Sequence, residues 1–416
     1  MLPDLQTEIP GPESLSLAGK LREYESRNVT YLDESWPVFW ERAEGVNVWD
    51  ADGNRFLDLT SAFGVAGLGH GNPEIVSAMK SQSERLLHGM GDVHPTALKG
   101  DLCEKLSAVT FERWGAGKGK TVLSSSGFEA VETALKTARL ATGKNKIIAF
   151  SHGYHGLGYG SLLGTDLEKF RGPFGDQLAD VTVRLPFGGG EIEHIDSSEI
   201  GAVLVEPIQG RGGKIVPSPE FLPRLRRWCD EHGAVLIFDE IYTGFLRTGK
   251  MFACDWDGVV PDVICVGKAL SGGFPISACV GKAEVMDAWP ESPGEALHTS
   301  TFLGNPVGCA MALTSLDILQ RPETEAKVKE AGGYLESRLR QMKAPGIVEV
   351  RGRGMMWGVE LSHPSGELLA DLLKAGLIML ADGKDGNVLA FTPPFSIAPP
   401  EIDFSCEVIE RLLLRG

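Results

Sequence analysis

Asp239 and Lys268 are the side chains in this 416-residue chain that first suggest chemistry. Asp239 closes the apolar run AVLIFDE at 234–240, and Lys268 directly follows the apolar run DVICVG at 262–267. Near-continuous apolar runs of this length read as buried strands of a parallel sheet, and ligands of open α/β sheets bind outside the carboxyl ends of such strands. Taken singly, each residue has an ordinary explanation. An Asp after a buried strand is often a cap or turn residue, and a lone Lys usually lies on the surface. Together they deliver an amine and a carboxylate to one sheet edge. A third part lies upstream, in SSSGFEAVETALKTAR at 124–139. There a strand ends and a helix begins, with Ser126 and Glu129 at the S-x-x-E spacing of a capping box. The free N–H groups and positive dipole end of such a helix start suit a phosphate, although by itself the pattern indicates only a well-capped helix. A lysine for a Schiff base, an acid for a pyridinium and a phosphate cradle are the parts that a pyridoxal-phosphate site needs.

These side chains need a scaffold, and the chain between them supplies one. TVLSS at 121–125 reads as a strand, and 127–142 as a helix with Val131, Ala134, Leu135 and Ala138 on one face. KIIAF at 146–150 and AVLVEP at 202–207 are strands, a helix follows around 218–232, and ISACVG at 276–281 is a strand after the two runs above. Strands alternating with helices indicate a mostly parallel sheet covered on both faces. The segment to about Asp58 carries aromatics, turns and short strands such as GVNVWD. Beyond about Asn305 come a long helix with Val328, Ala331, Leu335, Leu339 and Met342, a helix–strand mixture, and a last helix with Ile402, Cys406, Ile409 and Leu413. The expected organisation is an N-terminal segment, 1–58, packing with a small domain at 306–416, and a large α/β domain at 59–305. One tempting motif fails. GAGKGKT at 115–121 has Trp114 where a P-loop needs its first glycine, and it runs into a strand instead of a helix.

Composition narrows the function classes. The net charge of -16 argues against nucleic acid, because phosphate contacts need clustered Lys and Arg. The seven cysteines are scattered without a C-x-x-C pair, which suggests buried thiols in a reducing compartment with no disulfide framework and no metal site. The start MLPDLQTEIPGPES has neither the basic nor the apolar region of a signal peptide, and no apolar stretch is long enough to cross a bilayer. A cytoplasmic protein without nucleic-acid or membrane partners is expected.

Nine segments, taken in order, resemble one family: GVNVWDADGNRFLDL, LGHGNPEI, SSGFEAVETALK, SHGYHG, VEPIQGRGG, LIFDEIYTGFLRTG, PDVICVGKALSGGFP, HTSTFLGNP and RGRGMMWGVEL. From about Gly45 to Ile397 the chain resembles the class III aminotransferases of the fold type I pyridoxal-phosphate superfamily. The resemblance implies a large domain built on a mostly parallel seven-stranded sheet plus a smaller α+β domain. It implies pyridoxal 5'-phosphate as cofactor, with Lys268 as the Schiff-base lysine and proton shuttle and Asp239 on the pyridine nitrogen. Tyr154 would stack on one ring face and Ile241 on the other, and the Gly127 and Phe128 amides, with Ser126 nearby, would bind the phosphate. Thr301 resembles a threonine that reaches the phosphate of the neighbouring subunit, which implies a homodimer with shared sites. Glu206 and Gln209 fall beside the cofactor hydroxyl and the substrate.

The departures bear on substrate. Family members that use glutamate or 2-oxoglutarate carry an arginine in an N-V-L-R-F-x-P-P-like segment, where this chain has NVLAFTPPF and Ala390. A second arginine often follows Y-H-G, and here the residue is Leu157. Two planar carboxylate clamps are thus replaced by apolar side chains. DEIYTG places Tyr242 where an amide is common. Trp40, Phe63 and Trp357 are candidates to line an apolar pocket, with ordinary core packing as the competing explanation. Arg42, Arg351 and Arg353 are possible substitute cations. The function expected is amino transfer between a primary amine or ω-amino compound and a keto acid, aldehyde or ketone. The alternative is a racemase or epimerase on the same scaffold.

Overall fold

The computed structural model describes residues 1–415, which divide into two compact units, Pro73–Glu325 and Met1–Asn72 with the described residues from Ala326 onward. The larger unit is built on seven strands: β1 (Gly119–Ser124), β2 (Lys146–Phe150), β3 (Thr182–Leu185), β4 (Ile200–Val205), β5 (Val235–Asp239), β6 (Val263–Val266) and β7 (Ser277–Lys282). Their order in the sheet is β1-β7-β6-β5-β4-β2-β3. β7 runs antiparallel to both of its neighbours, and every other pairing is parallel. Every residue of β4, β5 and β6 is buried, as strands covered on both faces must be.

Helix α1 (Pro73–Arg85), α2 (Ala97–Ser107), α3 (Gly127–Thr142), α4 (Phe221–His232) and α5 (Pro306–Leu319) belong to this unit. The apolar face of α3 lays Val131, Ala134 and Ala138 on Ile147, Leu204, Ile237 and Cys265 of the sheet. Its small alanines let the helix approach closely. The helix stops at Gly143, whose φ of 70° is a left-handed cap that disfavours a side chain. Likewise α4 stops at Gly233 (φ 63°), and it begins at Phe221, three residues later than its expected start at 218.

In the smaller unit, the strands Trp40–Glu44, Asn47–Asp50 and Arg55–Asp58 form an antiparallel meander, joined in parallel by Leu377–Ile378. A second sheet contains Ile347–Arg353, Met356–Leu361, Val388–Phe391 and Leu380–Asp382. The N-terminal segment also contains the helix Pro12–Tyr24, which the sequence reading missed. It buries only Ser14 and Ala18, so it has no apolar stripe to reveal it. The unit boundaries fall at 72/73 and 325/326, where 58/59 and 305/306 were expected. The later one moves because α5 packs on α1 and α2 and so belongs to the larger unit. No helix among the described residues is long and apolar enough to cross a membrane.

Ile237, fully buried at the centre of β5, tests this core. Ile237→Ala should cost about 2–5 kcal/mol through lost burial and the cavity left behind. Leu140→Ala, on the exposed side of α3, should cost less than about 0.5 kcal/mol. Urea-unfolding midpoints compare the two, and equal shifts would contradict the packing.

Candidate active site

Strand register collects the candidate residues at one edge of the sheet. Ser124, the last residue of β1, lies opposite Ser277; Val266, the last of β6, lies opposite Ala278; and Asp239, the last of β5, lies opposite Cys265. Lys268 follows two residues after β6 and adopts φ 42°. That left-handed conformation is costly for a side chain other than glycine and is found where surrounding structure enforces it.

Asp239 is buried and doubly fixed. Its Oδ1 accepts the Ile241 amide at 3.1 Å, and its Oδ2 accepts from His155 Nδ1 at 2.8 Å. The carboxylate can only accept, so Nδ1 is the protonated nitrogen of this imidazole. An ionised carboxylate has about four acceptor sites, so capacity remains for one further N–H. His155 is itself 3% exposed, and its backbone N–H donates to Thr165 Oγ1 at 2.9 Å. Glycines make room for the ring: a methyl at Gly164 would sit 2.9 Å from His155 Cδ2. His155 was not assigned a role from sequence, although it lies in the same GYHG segment as Tyr154.

Glu206 follows β4. Its two oxygens accept the amides of Tyr154 and Gly210, each at 2.9 Å. Burial pushes its pKa upward, with Asp239 adding to the rise and His155 and the two amides opposing it. Tyr154 is half-buried, with its ring 5.7 Å from that of Phe170. Gln209 donates from Nε2 to the Ser151 carbonyl at 2.8 Å, while its Oε1 is buried with no hydrogen-bond partner.

At the start of α3, Glu129 Oε2 accepts from the Ser125 amide, the Ser126 amide and Ser126 Oγ at 2.8–3.0 Å. The next N–H groups, of Gly127 and Phe128, open the helix and have no carbonyl one turn earlier to bond. Gly127 is pressed against Ile241, where a methyl would meet Cδ1 at 3.0 Å. The site therefore presents a helix start with open amides, a buried carboxylate with spare acceptor capacity, an unsatisfied amide oxygen and a lysine. These features fit pyridoxal phosphate, whose phosphate, ring nitrogen, ring hydroxyl and aldehyde call for those four partners.

Other expected residues lie elsewhere. Tyr242 is beside Lys268, whose Nζ is 4.2 Å from the ring centroid, and Leu157 is exposed on the segment after His155. Thr301 is exposed in the turn at 301–304 that leads into α5. In the smaller unit, Trp40 is partly exposed and meets His70 edge-on at 5.8 Å, and Phe63 is exposed in a turn at φ 61°. Ala390 is buried on Val388–Phe391, opposite Gly358 and Leu380. Trp357 corrects the pocket expectation: it is 1% exposed, its indole N–H donates to the Gly354 carbonyl at 2.8 Å, and it packs as a core residue. Of the substitute cations, Arg42 stacks on Trp49 at 3.6 Å, Arg351 is paired with Glu349 and Glu360, and Arg353 ends the strand Ile347–Arg353. Two other cations lie near Lys268 and were missed: Arg211, whose Cζ is 5.2 Å from the Tyr154 ring, and fully buried Lys214, whose Nζ donates to Tyr242 Oη at 3.3 Å. Both fall in the quoted segment VEPIQGRGG and its next residue, where an accumulation of positive charge was the available signal.

A model of the family described as Aminotransferase class-III matches residues 30–413. Ornithine aminotransferase 2 of Staphylococcus aureus is 38% identical over 90% of this chain and 94% of its own length. Acetylornithine aminotransferase of Methanosarcina acetivorans is 34% identical over 94% of this chain and 95% of its own. Among solved structures, ornithine aminotransferase from Toxoplasma gondii superposes with a TM-score of 0.87 at 29% identity, covering 97% of this chain and 95% of that one. All three relatives are aminotransferases, and none supports the racemase alternative.

Lys268 is the site's titrating centre. Part of its side chain reaches solvent, but protein surrounds the nitrogen, and this burial pulls its pKa down to about 8. Asp239 and Glu206 pull the other way, and the positive charges of Lys214 and Arg211 assist. Only the unprotonated amine attacks a carbonyl. Near pH 7 roughly a tenth of Lys268 would be in that form, against less than about a thousandth of an ordinary lysine. The rate at which added pyridoxal phosphate becomes borohydride-fixable on Lys268 should therefore rise with pH and level off above about 8. Mass spectrometry that located the adduct on another lysine, or a rate still climbing at pH 10, would refute this.

Proposed function

Because this chain belongs to the class III aminotransferases, which use pyridoxal phosphate, we propose that it moves an amino group from a primary amine or ω-amino compound lacking an α-carboxylate to a keto acid. The observation that carries this reading is the meeting of Lys268, Asp239 and the start of α3 at one sheet edge. When bound, the cofactor supplies an aldehyde that links to amines and a protonated ring that takes up the electron pair of a broken C–H bond. In this reading Lys268 Nζ would hold the cofactor and would then carry the proton from the amine-bearing carbon of the substrate to the aldehyde carbon of the cofactor, two bonds away across the nitrogen. Asp239 keeps the ring nitrogen protonated, and His155 holds the Asp239 carboxylate in place. Tyr154 and Ile241 enclose the ring, and Glu206 and Gln209 lie toward its hydroxyl side. The Gly127 and Phe128 amides take the phosphate, with Ser126 behind them.

Thr301 is assigned to the phosphate of a partner subunit, so the enzyme works as a homodimer. Support comes from exposed apolar side chains near this turn and on the segment that touches it: Leu87, Met90, Val93 and Phe302, with His88 and Phe302 in ring contact at 5.3 Å. We place the enzyme in the cytoplasm, supported by seven free cysteines, six of them buried.

Asp239→Asn should lower turnover by about two to three orders of magnitude, the usual loss when one preorganised electrostatic contact is removed. Near-normal turnover in steady-state assays would make Asp239 a structural residue. The donor preference follows from the sequence, which has Ala390 and Leu157 where relatives that use glutamate carry two arginines. The two carboxylates of glutamate lack that pair of partners, and an unpaired buried carboxylate is strongly unfavourable. Amines without an α-carboxylate should convert the cofactor to its amine form faster than glutamate does, as followed by absorbance. A specificity constant for glutamate above that of every simple amine tested would overturn the donor assignment.

A further inference from the structure

We propose that Arg211 is the carboxylate-binding residue for the amino acceptor, and that it selects a monocarboxylate 2-keto acid. This rests on the aminotransferase reading above. In the reaction, the amine's carbon is oxidised to a carbonyl as the keto carbon is reduced to an amino-bearing carbon. The amino group passes between them and no other oxidant is needed.

Arg211 sits in a closed loop. Gln209 and Ile215 exchange backbone hydrogen bonds at 3.0 and 3.1 Å, and the Gly210 carbonyl accepts the amides of Gly213 and Lys214. The loop is wedged at two points. A methyl at Gly210 would meet the Tyr242 ring at 2.5 Å, and one at Gly212 would meet the His152 carbonyl at 2.9 Å. The residue between these two glycines therefore leaves a backbone with little freedom to shift. Its guanidinium lies 5.2 Å from the Tyr154 ring and 5.4 Å from that of Phe170, half-buried against both. Among the described residues it forms no ion pair. A guanidinium held against aromatic rings, with its forked donors uncommitted, matches the two oxygens of a carboxylate.

Competing cations are otherwise engaged. Arg42 and Arg351 have partners in the smaller unit, and Lys214 is sealed from solvent against the Tyr242 hydroxyl. One open fork accommodates one carboxylate. The rings beside the fork, Tyr154 and Phe170, offer no charge to a second carboxylate. Lys169, whose Nζ is 5.0 Å from the Phe170 ring, is solvent-exposed, where an ion pair gains little, so pyruvate-like acceptors are favoured over dicarboxylates.

The test compares acceptors with and without a carboxylate on the holoenzyme. In wild type, pyruvate should be preferred to 2-oxoglutarate. In Arg211→Gln, the specificity constant for pyruvate relative to propanal should fall roughly tenfold to a hundredfold, the loss expected for a charge-assisted contact. Arg211→Lys keeps the charge without the fork and should recover part of that ratio. Propionate binding, measured by calorimetry, should weaken about as much as the pyruvate ratio falls in Arg211→Gln. If pyruvate and propanal declined together, Arg211 would merely support Tyr154, and the proposal would be overturned. Unchanged ratios and unchanged propionate binding would overturn it as well. If wild type transferred no amino group from any amine, the aminotransferase reading would fail, while propionate calorimetry would still report on Arg211.

Discussion

The surroundings of one lysine nitrogen constrain the rest of the larger unit. Taking an ammonium out of water is strongly unfavourable, and the lysine responds by releasing its proton more readily. Too many carboxylates nearby would restore the proton, and too few would leave no counterweight to the surrounding positive charge. Asp239 and Glu206 are set against Lys214 and Arg211, and the outcome is a pKa of about 8. That balance requires polar groups from several strand ends to converge where the apolar sheet stops. The uninterrupted burial of β4, β5 and β6 confines the convergence to their ends.

The same features explain what could be read from sequence. Fully buried parallel strands are continuous apolar runs, so AVLIFDE and DVICVG stand out, and the residues at their ends stand out with them. Strand β3 was not legible, because Thr182 and Arg184 break its apolar character and three of its four residues are only half-buried. His155, Arg211 and Lys214 lie in loops, where no periodicity marks a side chain's direction. Their positions depend on glycines that admit close contacts, such as Gly164 against His155 and Gly210 against Tyr242. Trp357 shows the opposite failure: a large aromatic near the end of the chain reads equally well as pocket or core, and only burial separates the two.

Strain and support coincide at Lys268. Its positive φ is a local cost, and the turn that carries it is held by the Leu270 amide bonding back to the Gly267 carbonyl. Further along, Ser271 Oγ donates to the Phe274 carbonyl, and Ser315 Oγ of α5 donates to the Ala269 carbonyl. The stability of α5 on this segment thus maintains a backbone geometry that the reactive residue would not adopt alone.

The division of the chain has a consequence for its birth on the ribosome. Arg55–Asp58 pairs with Leu377–Ile378, and Asn47 bonds Met1 in the same unit, so the first segment's sheet is completed only by residues made 377 − 58 = 319 positions later. At about 5–20 residues per second, the intervening chain takes tens of seconds to emerge. During that interval the nascent meander has Arg55 bridged by Asp4 but an unpaired edge at Leu57 and Asp58, and its apolar cluster lacks Leu373 and Ile378, while the larger unit can already fold. Phe56 and Leu57, fully buried at the end, are then transiently exposed and available to a holding chaperone. Late closure of the smaller unit makes premature termination doubly damaging: a truncated product would carry a folded sheet edge with an orphaned, sticky leader.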